Sequence, residues 1–192
     1  ASTHALLKEA PAAYRTQVND LLLTALGRAL CAWSGHERLQ VMLEGHGRED
    51  LPGGVDLSRT TGWFTSLFPV LLDTSGEPGE ALRRMKESLR GIPLKGLGHG
   101  ALKHLGSEAQ RQALRALPAP QLVFNYLGQI DSGFDAGSPW RQAEESPGAS
   151  MGEAAPLLHE FTVNGQVSGG ELTITVSYSR ARHERHTVQG WV

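Results

Sequence analysis

The sequence is poor in cysteine, in net charge and in long apolar runs. Its 192 residues contain one cysteine, Cys31, which cannot form an internal disulfide, so we expect a reducing, cytoplasmic setting. The net charge of -2 and the lack of a broad basic stretch argue against nucleic acid as a partner. No apolar run is long enough to cross a bilayer, so no membrane association is expected.

Metal-ligand and phosphate-loop patterns are missing as well. The eight histidines are scattered, and no pair has metal-ligand spacing with a third ligand nearby. We therefore predict no metal site, and His183 and His186 are predicted to be surface groups. The glycines of residues 96–100 do not indicate a phosphate-binding loop, because neither a preceding strand nor a Gly-Lys-Ser/Thr or dinucleotide fingerprint accompanies them.

The composition that remains is that of one globular domain. Hydrophobic residues make up 40% and charged residues 20% of a chain long enough to bury its own core. The sequence starts at Ala1 without methionine and stops at Val192 inside what reads as a continuing segment, so we expect a fragment of a longer protein. Residues 131–156 show little periodicity and are expected to form a functional or crossing loop.

Apolar residues at helical spacing predict the helices. Residues 18–33 form one long helical pattern, and residues 79–92 carry an apolar stripe opposed by basic and acidic side chains. After a glycine-punctuated loop over 93–100, two shorter helices are predicted over 101–105 and 107–117. These helices need a sheet or one another to cover their apolar faces.

Alternation and strand-forming residues predict the sheet. Residues 39–43 form a short strand, and 62–72 form a strand that Pro69 places at an edge or a bulge, since proline lacks the ladder donor. The apolar stretch 121–127 is predicted to be central and covered on both faces. Around 168–170, a turn joins two antiparallel strands with one polar face. The predicted class is α/β, with helices packed on a mixed sheet in two layers.

The densest chemistry follows strand 39–43, where residues 44–49 read Glu-Gly-His-Gly-Arg-Glu. Glycines within this run permit a positive φ or close approach to a ligand. Glu44 is therefore a candidate for proton transfer, and His46 either orients the loop or acts as a second base. From the residues alone, however, structural pairing of Glu44 with Arg48 is the commoner outcome.

Two other members of this run are predicted to be structural. Arg48 and Glu49 are expected to pair with the Asp20 end of the first long helix or with the loop around Arg59, rather than to touch substrate.

Five ordered segments of the chain resemble signatures of the nonribosomal peptide synthetase epimerization domains, from about Thr3 to Arg182. These segments are residues 19–23 (NDLLL), 44–49 (EGHGRE), 59–69 (RTTGWFTSLFP), 96–100 (GLGHG) and 124–129 (FNYLGQ). The resemblance implies two chloramphenicol-acetyltransferase-like lobes with the active site in a tunnel between them. Residues 1–192 resemble the C-terminal lobe. The family's His-His-x-x-x-Asp-Gly motif, which lies in the N-terminal lobe, does not occur in this sequence.

The resemblance also implies a reaction. The complete domain would invert the α-carbon, from L to D, of an aminoacyl or peptidyl thioester in the biosynthesis of peptide antibiotics. The substrate is attached to the 4'-phosphopantetheine arm of a peptidyl carrier domain, so no cofactor is expected to bind directly to this chain. Because half of the site would lie in the missing N-terminal lobe, the isolated chain is expected to be inactive.

The family's motifs assign roles to five residues. Glu44 matches the catalytic glutamate, and Tyr126 is expected to donate to the enolate or to position the arm. Asn125 is expected to support the site, while Trp63 and Phe64 either line the tunnel floor or pack in the core. Because side chains alternate along a strand, only one of Asn125 and Tyr126 should point into the tunnel unless the strand is bulged there.

Two other functions remain open at this point. A condensation domain of the same superfamily would form an amide bond, although such domains generally lack the 44–49 and 124–129 signatures. A noncatalytic lobe that docks a carrier domain is the alternative from a different class.

Overall fold

The protein is described by a computed structural model that covers residues 2–50, 53–130, 139, 143, 145–146, 148, 152 and 155–192. The helices are α1 (Ser2–His4), α2 (Ala10–Tyr14), α3 (Val18–Ser34), α4 (Pro78–Arg90), α5 (Leu97–Leu105), α6 (Glu108–Arg115) and α7 (Arg185–Trp191), with a π-helical turn at Ala5–Glu9 and a 3-10 turn at Pro93–Gly96. The strands are β1 (Arg38–Gly45), β2 (Ser66–Asp73), β3 (Leu122–Gln129), β4 (Phe161–Ser168) and β5 (Glu171–Tyr178). The predicted α/β class, a mixed sheet with helices packed on it, is confirmed.

The five strands form one sheet in the order β2-β1-β3-β4-β5. The two outer pairs, β1 with β2 and β4 with β5, are antiparallel, whereas β1, β3 and β4 run parallel to one another. The carboxyl ends of the three parallel strands therefore meet at one edge of the sheet. In open α/β sheets this edge is where ligands bind, so it is the first place to look for a site.

One face of the sheet carries the core. Alternate strand residues pack against α3, α4 and α7, as period-two alternation requires. The fully buried side chains include Leu23, Val41, Leu72, Met85 and Val163. Helix α3 follows its predicted range closely, and Asp20 starts it by accepting a hydrogen bond from the Gln17 backbone N–H at 2.8 Å.

The predicted strands and hairpin are present, and their positions confirm two expectations. Strand β2 is an edge strand, as Pro69 indicated, and β3 is the central strand of five. However, β3 is not covered on both faces: Leu122 and Phe124, which share one face, are buried, whereas Val123 and Asn125 on the other face are half-buried and Leu127 is 54% exposed. The expectation of full cover was wrong because the carboxyl end of β3 opens into a pocket.

Three further expectations differ from the structure. Residues 62–65 precede β2 rather than belonging to it, and α5 starts at Leu97 within the predicted loop. His183 is not a surface group: its side chain is 16% exposed, its Nε2 lies 2.8 Å from Glu160 Oε1, and its ring packs on Phe161. The predicted loop over 131–156 lies largely outside the described residues.

Among the described residues, no helix is both long and apolar enough to span a membrane.

Candidate functional site

A pocket of about 650 Å³ opens at the carboxyl ends of β1 and β3, beside the amino-terminal end of α3. Its volume is in the range of pockets that take small organic ligands. The polar groups along its wall come from β1 and the residues after it, from β3 and from the α4–α5 connection; they include Glu44, His46, Glu49, Lys95, Asn125 and Tyr126. The signatures at 44–49 and 124–129 thus meet in one cavity.

Glu44 is the penultimate residue of β1, opposite Leu67 of β2 in the antiparallel register. Its side chain is half-buried and lines the pocket. Within the described parts of the chain, its carboxylate has neither a hydrogen bond nor an ion pair. Arg48 does not pair with it, because the guanidinium donates instead to the carbonyl oxygens of Leu57 and Gly62. The carboxylate is therefore available to a molecule in the pocket.

Asn125 and Tyr126 lie where the pairing of β3 becomes irregular. They are opposite Asn164 and Gly165 of β4, and the register shifts between Tyr126 and Gln129. Both residues line the pocket, although simple alternation would admit only one. The sequence analysis allowed both side chains to reach the site if the strand is bulged, and the local shift in register is such an irregularity.

The Tyr126 hydroxyl is poised as a neutral donor. Burial raises the pKa of the Tyr126 phenol above its ordinary value of 10.0, because desolvation disfavours the phenolate. The hydroxyl has no hydrogen-bond partner within the described ranges. A protonated phenol with an unused donor can therefore bind a carbonyl or enolate oxygen of a ligand.

The run after Glu44 is fixed by its own side chains. His46 Nδ1 accepts a hydrogen bond from the Arg48 N–H at 3.0 Å, and His46 Nε2 lies 3.2 Å from Glu49 Oε1. Glu49 Oε2 lies 2.8 Å from Lys95 Nζ. The predicted pairing of Glu49 with the Asp20 end of α3 or with the loop around Arg59 was wrong, since its partners are His46 and Lys95.

Arg48 organises the loop that leads to β2, as one of the two sequence expectations anticipated. Its guanidinium carbon lies 4.2 Å from the centroid of the Phe64 ring, and Nη1 donates to Leu57 O at 2.7 Å. Phe64 does not line the pocket. Trp63 does not line it either, and at 89% exposed it is not a core residue, in contrast to the packing expectation.

Sequence reasoning did not identify two basic residues and one acidic residue as lining the pocket. Lys95, Arg90 and Asp20 all line the pocket. Asp20 carried a usable signal, because a polar residue at the start of a helix that packs under the central strands lies near the carboxyl edge of the sheet. Lys95 had no such signal, since a left-handed turn far along the chain brings it to Glu49.

The sequence profile described as "Condensation domain" matches residues 1–192. The chain belongs to the condensation-domain family. The predicted membership of the condensation superfamily is confirmed.

The related proteins are large synthases. The chain is 46% identical over 190 residues to a linear gramicidin synthase of Brevibacillus parabrevis, covering 97% of this chain and 2% of that protein. It is 49% identical over 190 residues to chondramide synthase cmdD of Chondromyces crocatus, covering 98% of this chain and 5% of that protein. The chain thus corresponds to a small part of each relative.

Among solved structures, the chain is similar to the epimerization domain from the third module of tyrocidine synthetase B. The TM-score is 0.88 at 35% identity, and the match covers 98% of this chain and 42% of that one. A condensation domain that mediates chain release from the enacyloxin polyketide synthase gives a TM-score of 0.64 at 18% identity, covering 98% of this chain and 36% of that one. The second likeness is one of fold alone.

Proposed function

We propose that this chain forms the C-terminal lobe of an epimerization domain in nonribosomal peptide synthesis. The complete domain inverts the α-carbon of an aminoacyl or peptidyl thioester carried on the phosphopantetheine arm of a peptidyl carrier domain. The observation that carries the proposal is the half-buried Glu44 carboxylate, which has no partner among the described residues and lines the same pocket as Tyr126, a residue whose phenol burial keeps neutral. This pairing of a base with a hydrogen-bond donor suits proton transfer next to a carbonyl.

The chemistry assigns a role to each group. A thioester acidifies its α-hydrogen, and removal of that proton by Glu44 leaves an enolate whose negative charge lies mainly on oxygen. The Tyr126 hydroxyl donates to that oxygen, and the Asn125 amide supports the same wall of the pocket. Return of a proton to the opposite face of the carbon completes the inversion and leaves the thioester otherwise unchanged.

The second proton-transfer group comes, in this proposal, from an N-terminal lobe that carries a His-His-x-x-x-Asp-Gly motif. The match that covers 42% of the tyrocidine epimerization domain supports a partner lobe, since the remainder of that chain has no counterpart in these 192 residues. The relatives' synthase context supports a carrier domain as the partner that delivers the substrate.

A condensation reaction is the second candidate. The family's description and the fold likeness to the chain-releasing condensation domain favour it. Condensation would bring an amine nucleophile to the thioester carbonyl and release the carrier thiol, so it needs no exchange at the α-carbon. The 35% identity to an epimerization domain, against 18% to that condensation domain, favours epimerization.

Solvent-deuterium incorporation at the α-carbon of a carrier-bound aminoacyl thioester tests the proposal. With a complete two-lobe domain, we expect exchange with inversion, reduced by roughly 100- to 10,000-fold in the Glu44→Gln variant. Glu171→Gln, an exposed carboxylate on β5, is the matched control and should keep full exchange. Amide formation without α-exchange, on addition of an acceptor amine, would instead establish condensation.

A further inference from the structure

Glu49 is an anion that the fold has largely removed from water. Its side chain is 11% exposed. An enclosed carboxylate costs free energy unless hydrogen-bond donors or cations compensate it. Both of its oxygens are occupied, one by His46 and the other by Lys95.

Two contacts together determine which nitrogen of His46 carries the proton. Nδ1 accepts the Arg48 backbone N–H, so its lone pair is already in use. Glu49 Oε1 lies 3.2 Å from Nε2 and, as a carboxylate oxygen that can only accept, it favours the proton of the neutral ring on Nε2. In this arrangement neither nitrogen has a free lone pair, and His46 cannot accept a proton from a substrate in the pocket.

The contact of Glu49 with Lys95 joins two segments that are distant in sequence. Lys95 lies in a left-handed turn between Leu94 and Gly96, and the φ values of residues 94, 95 and 96 are 46°, 47° and 84°. Position 96 of this turn must be glycine, because the ring of Phe68 occupies the space that a side chain there would need. Glu49 therefore links the run after Glu44 to this turn through an ion pair in which the Lys95 side chain is 72% exposed.

We propose that Glu49 is a positioning residue of the site. It holds His46 as a neutral Nε2–H donor, and by binding Lys95 it makes the 44–49 run and the 94–96 turn one wall of the pocket. Glu44 then remains the base on this lobe, with its carboxylate held in one place by the backbone that follows it. The kinetic part of the inference rests on the proposed epimerization.

The effect of Glu49 on the His46 tautomer is tested by a measurement that does not depend on enzyme activity. Long-range ¹H–¹⁵N spectra of the histidine-labelled 192-residue chain at pH 8 should show His46 with the proton on Nε2 and a bare Nδ1. In Glu49→Gln the side-chain amide competes with that arrangement, and a mixture of tautomers is expected. A wild-type ring with the proton on Nδ1, or with the same mixture as the variant, would overturn the proposal.

The kinetic part uses the complete domain. Since a misplacement of about 1 Å can cost on the order of 100-fold in rate, Glu49→Gln should lower kcat for α-proton exchange by roughly 10- to 100-fold with a smaller change in KM. Lys95→Met should lower kcat less, and the double variant should be no slower than Glu49→Gln alone, because both changes break one contact. Additive losses, or an unchanged kcat, would contradict a positioning role.

A matched control separates loss of charge from loss of position. Glu108 also pairs with two cations, Arg111 at 2.7 Å and Arg115 at 3.5 Å, but its side chain is 54% exposed and it lies outside the pocket. Glu108→Gln should leave kcat and the His46 tautomer unchanged. If the wild-type domain shows no α-exchange, the proposed function fails, whereas the tautomer measurement still decides the role of Glu49.

Discussion

The guanidinium of Arg48 lies over the ring of Phe64, with 4.2 Å between its central carbon and the ring centroid. The same group donates to the backbone oxygens of Leu57 and Gly62. One side chain thus contributes a cation–π contact and two charge-assisted hydrogen bonds to the loop between the Glu44 run and β2. Because the loop has no strand or helix between residues 53 and 65, Arg48 is a principal constraint on its shape.

Replacement of Arg48 by lysine tests this constraint. Arg48→Lys keeps the charge but loses the planar fork that reaches two carbonyls while stacking on the ring. We expect faster limited proteolysis within residues 53–65 and a small loss of stability, on the order of 1 kcal/mol. Arg59→Lys, in the same loop but without a described contact, should leave the cleavage rate unchanged.

Two features predict that Gly47 cannot be replaced: its left-handed backbone conformation and the close approach of the Phe64 backbone. Its φ is +67°, and a side-chain carbon at this position would overlap the carbonyl group of Phe64. Gly54 has a similar φ of +70° but open space around it. Gly54→Ala should therefore cost about 1 kcal/mol from the left-handed conformation alone, and Gly47→Ala clearly more. Equal losses in denaturant unfolding would show that the loop moves aside.

Removal of the Tyr126 hydroxyl should separate stability from activity. The hydroxyl has no described partner, so Tyr126→Phe should not lower the free energy of unfolding, whereas exchange at the α-carbon should fall about 10- to 100-fold. Because burial raises the pKa of the Tyr126 phenol above 10.0, the loss of rate through its ionisation should begin at a higher pH than for an ordinary phenol. Tyr178→Phe, a half-buried tyrosine of β5, is the control. An unchanged rate in Tyr126→Phe would remove the hydroxyl from the mechanism.

Asp73 should make part of the stability depend on acid pH. The Ser75 hydroxyl, 2.7 Å from Oδ1, is the main reason that the pKa of Asp73 lies below 3.8, and Arg84 and Arg38 add to it. A carboxyl with a lowered pKa stabilises the fold above pH 3.8, and this contribution is lost as the pH falls through the folded-state value. Asp73→Asn should therefore be less stable than wild type at pH 6, by under about 1 kcal/mol.

Unfolding curves between pH 2 and pH 6 check this expectation. The difference between Asp73→Asn and wild type should shrink toward the acid end. A comparison with Asp56→Asn isolates the arginines, since Asp56 makes a similar turn with Ser58 without a described ion pair. If the difference in free energy of unfolding between Asp73→Asn and wild type stays constant with pH, the lower stability comes from side-chain shape rather than from charge.

The sequence predicted those elements whose signal is local. Helix α3 has its apolar positions on one stripe, and Pro69 lacks the donor that an inner strand needs, so the helix and the edge strand could be inferred from their own residues. The signature motifs indicated Glu44 and Tyr126, which line one pocket, and alternation along single strands could not have linked them. These predictions rested on short-range geometry or on resemblance.

The rest depended on contacts between distant segments. The start of α5 at Leu97 was hidden by Gly98 and Gly100, which have low helix propensity and are helical here because the segment packs on β2. The partner of Glu49 could not be read from the sequence, since only the left-handed turn brings Lys95 to it. Trp63 was expected to pack in the core or to line the tunnel floor, but in the part of the chain that the structure describes its side chain is 89% exposed.

The parallel pairing of β1 with β3 has a consequence for how the chain folds. Strands β1 and β2 are adjacent in sequence and can pair once the loop between them closes. Leu43 and Phe124, in contrast, can pair only when the chain of helices between β2 and β3 has been folded away from the sheet edge. Such a pairing carries a high contact order, and its loop must be closed before any contact repays the lost entropy. We therefore expect the pocket to assemble late in folding, and a nascent chain that has not yet placed β3 lacks the wall that Asn125 and Tyr126 contribute to it.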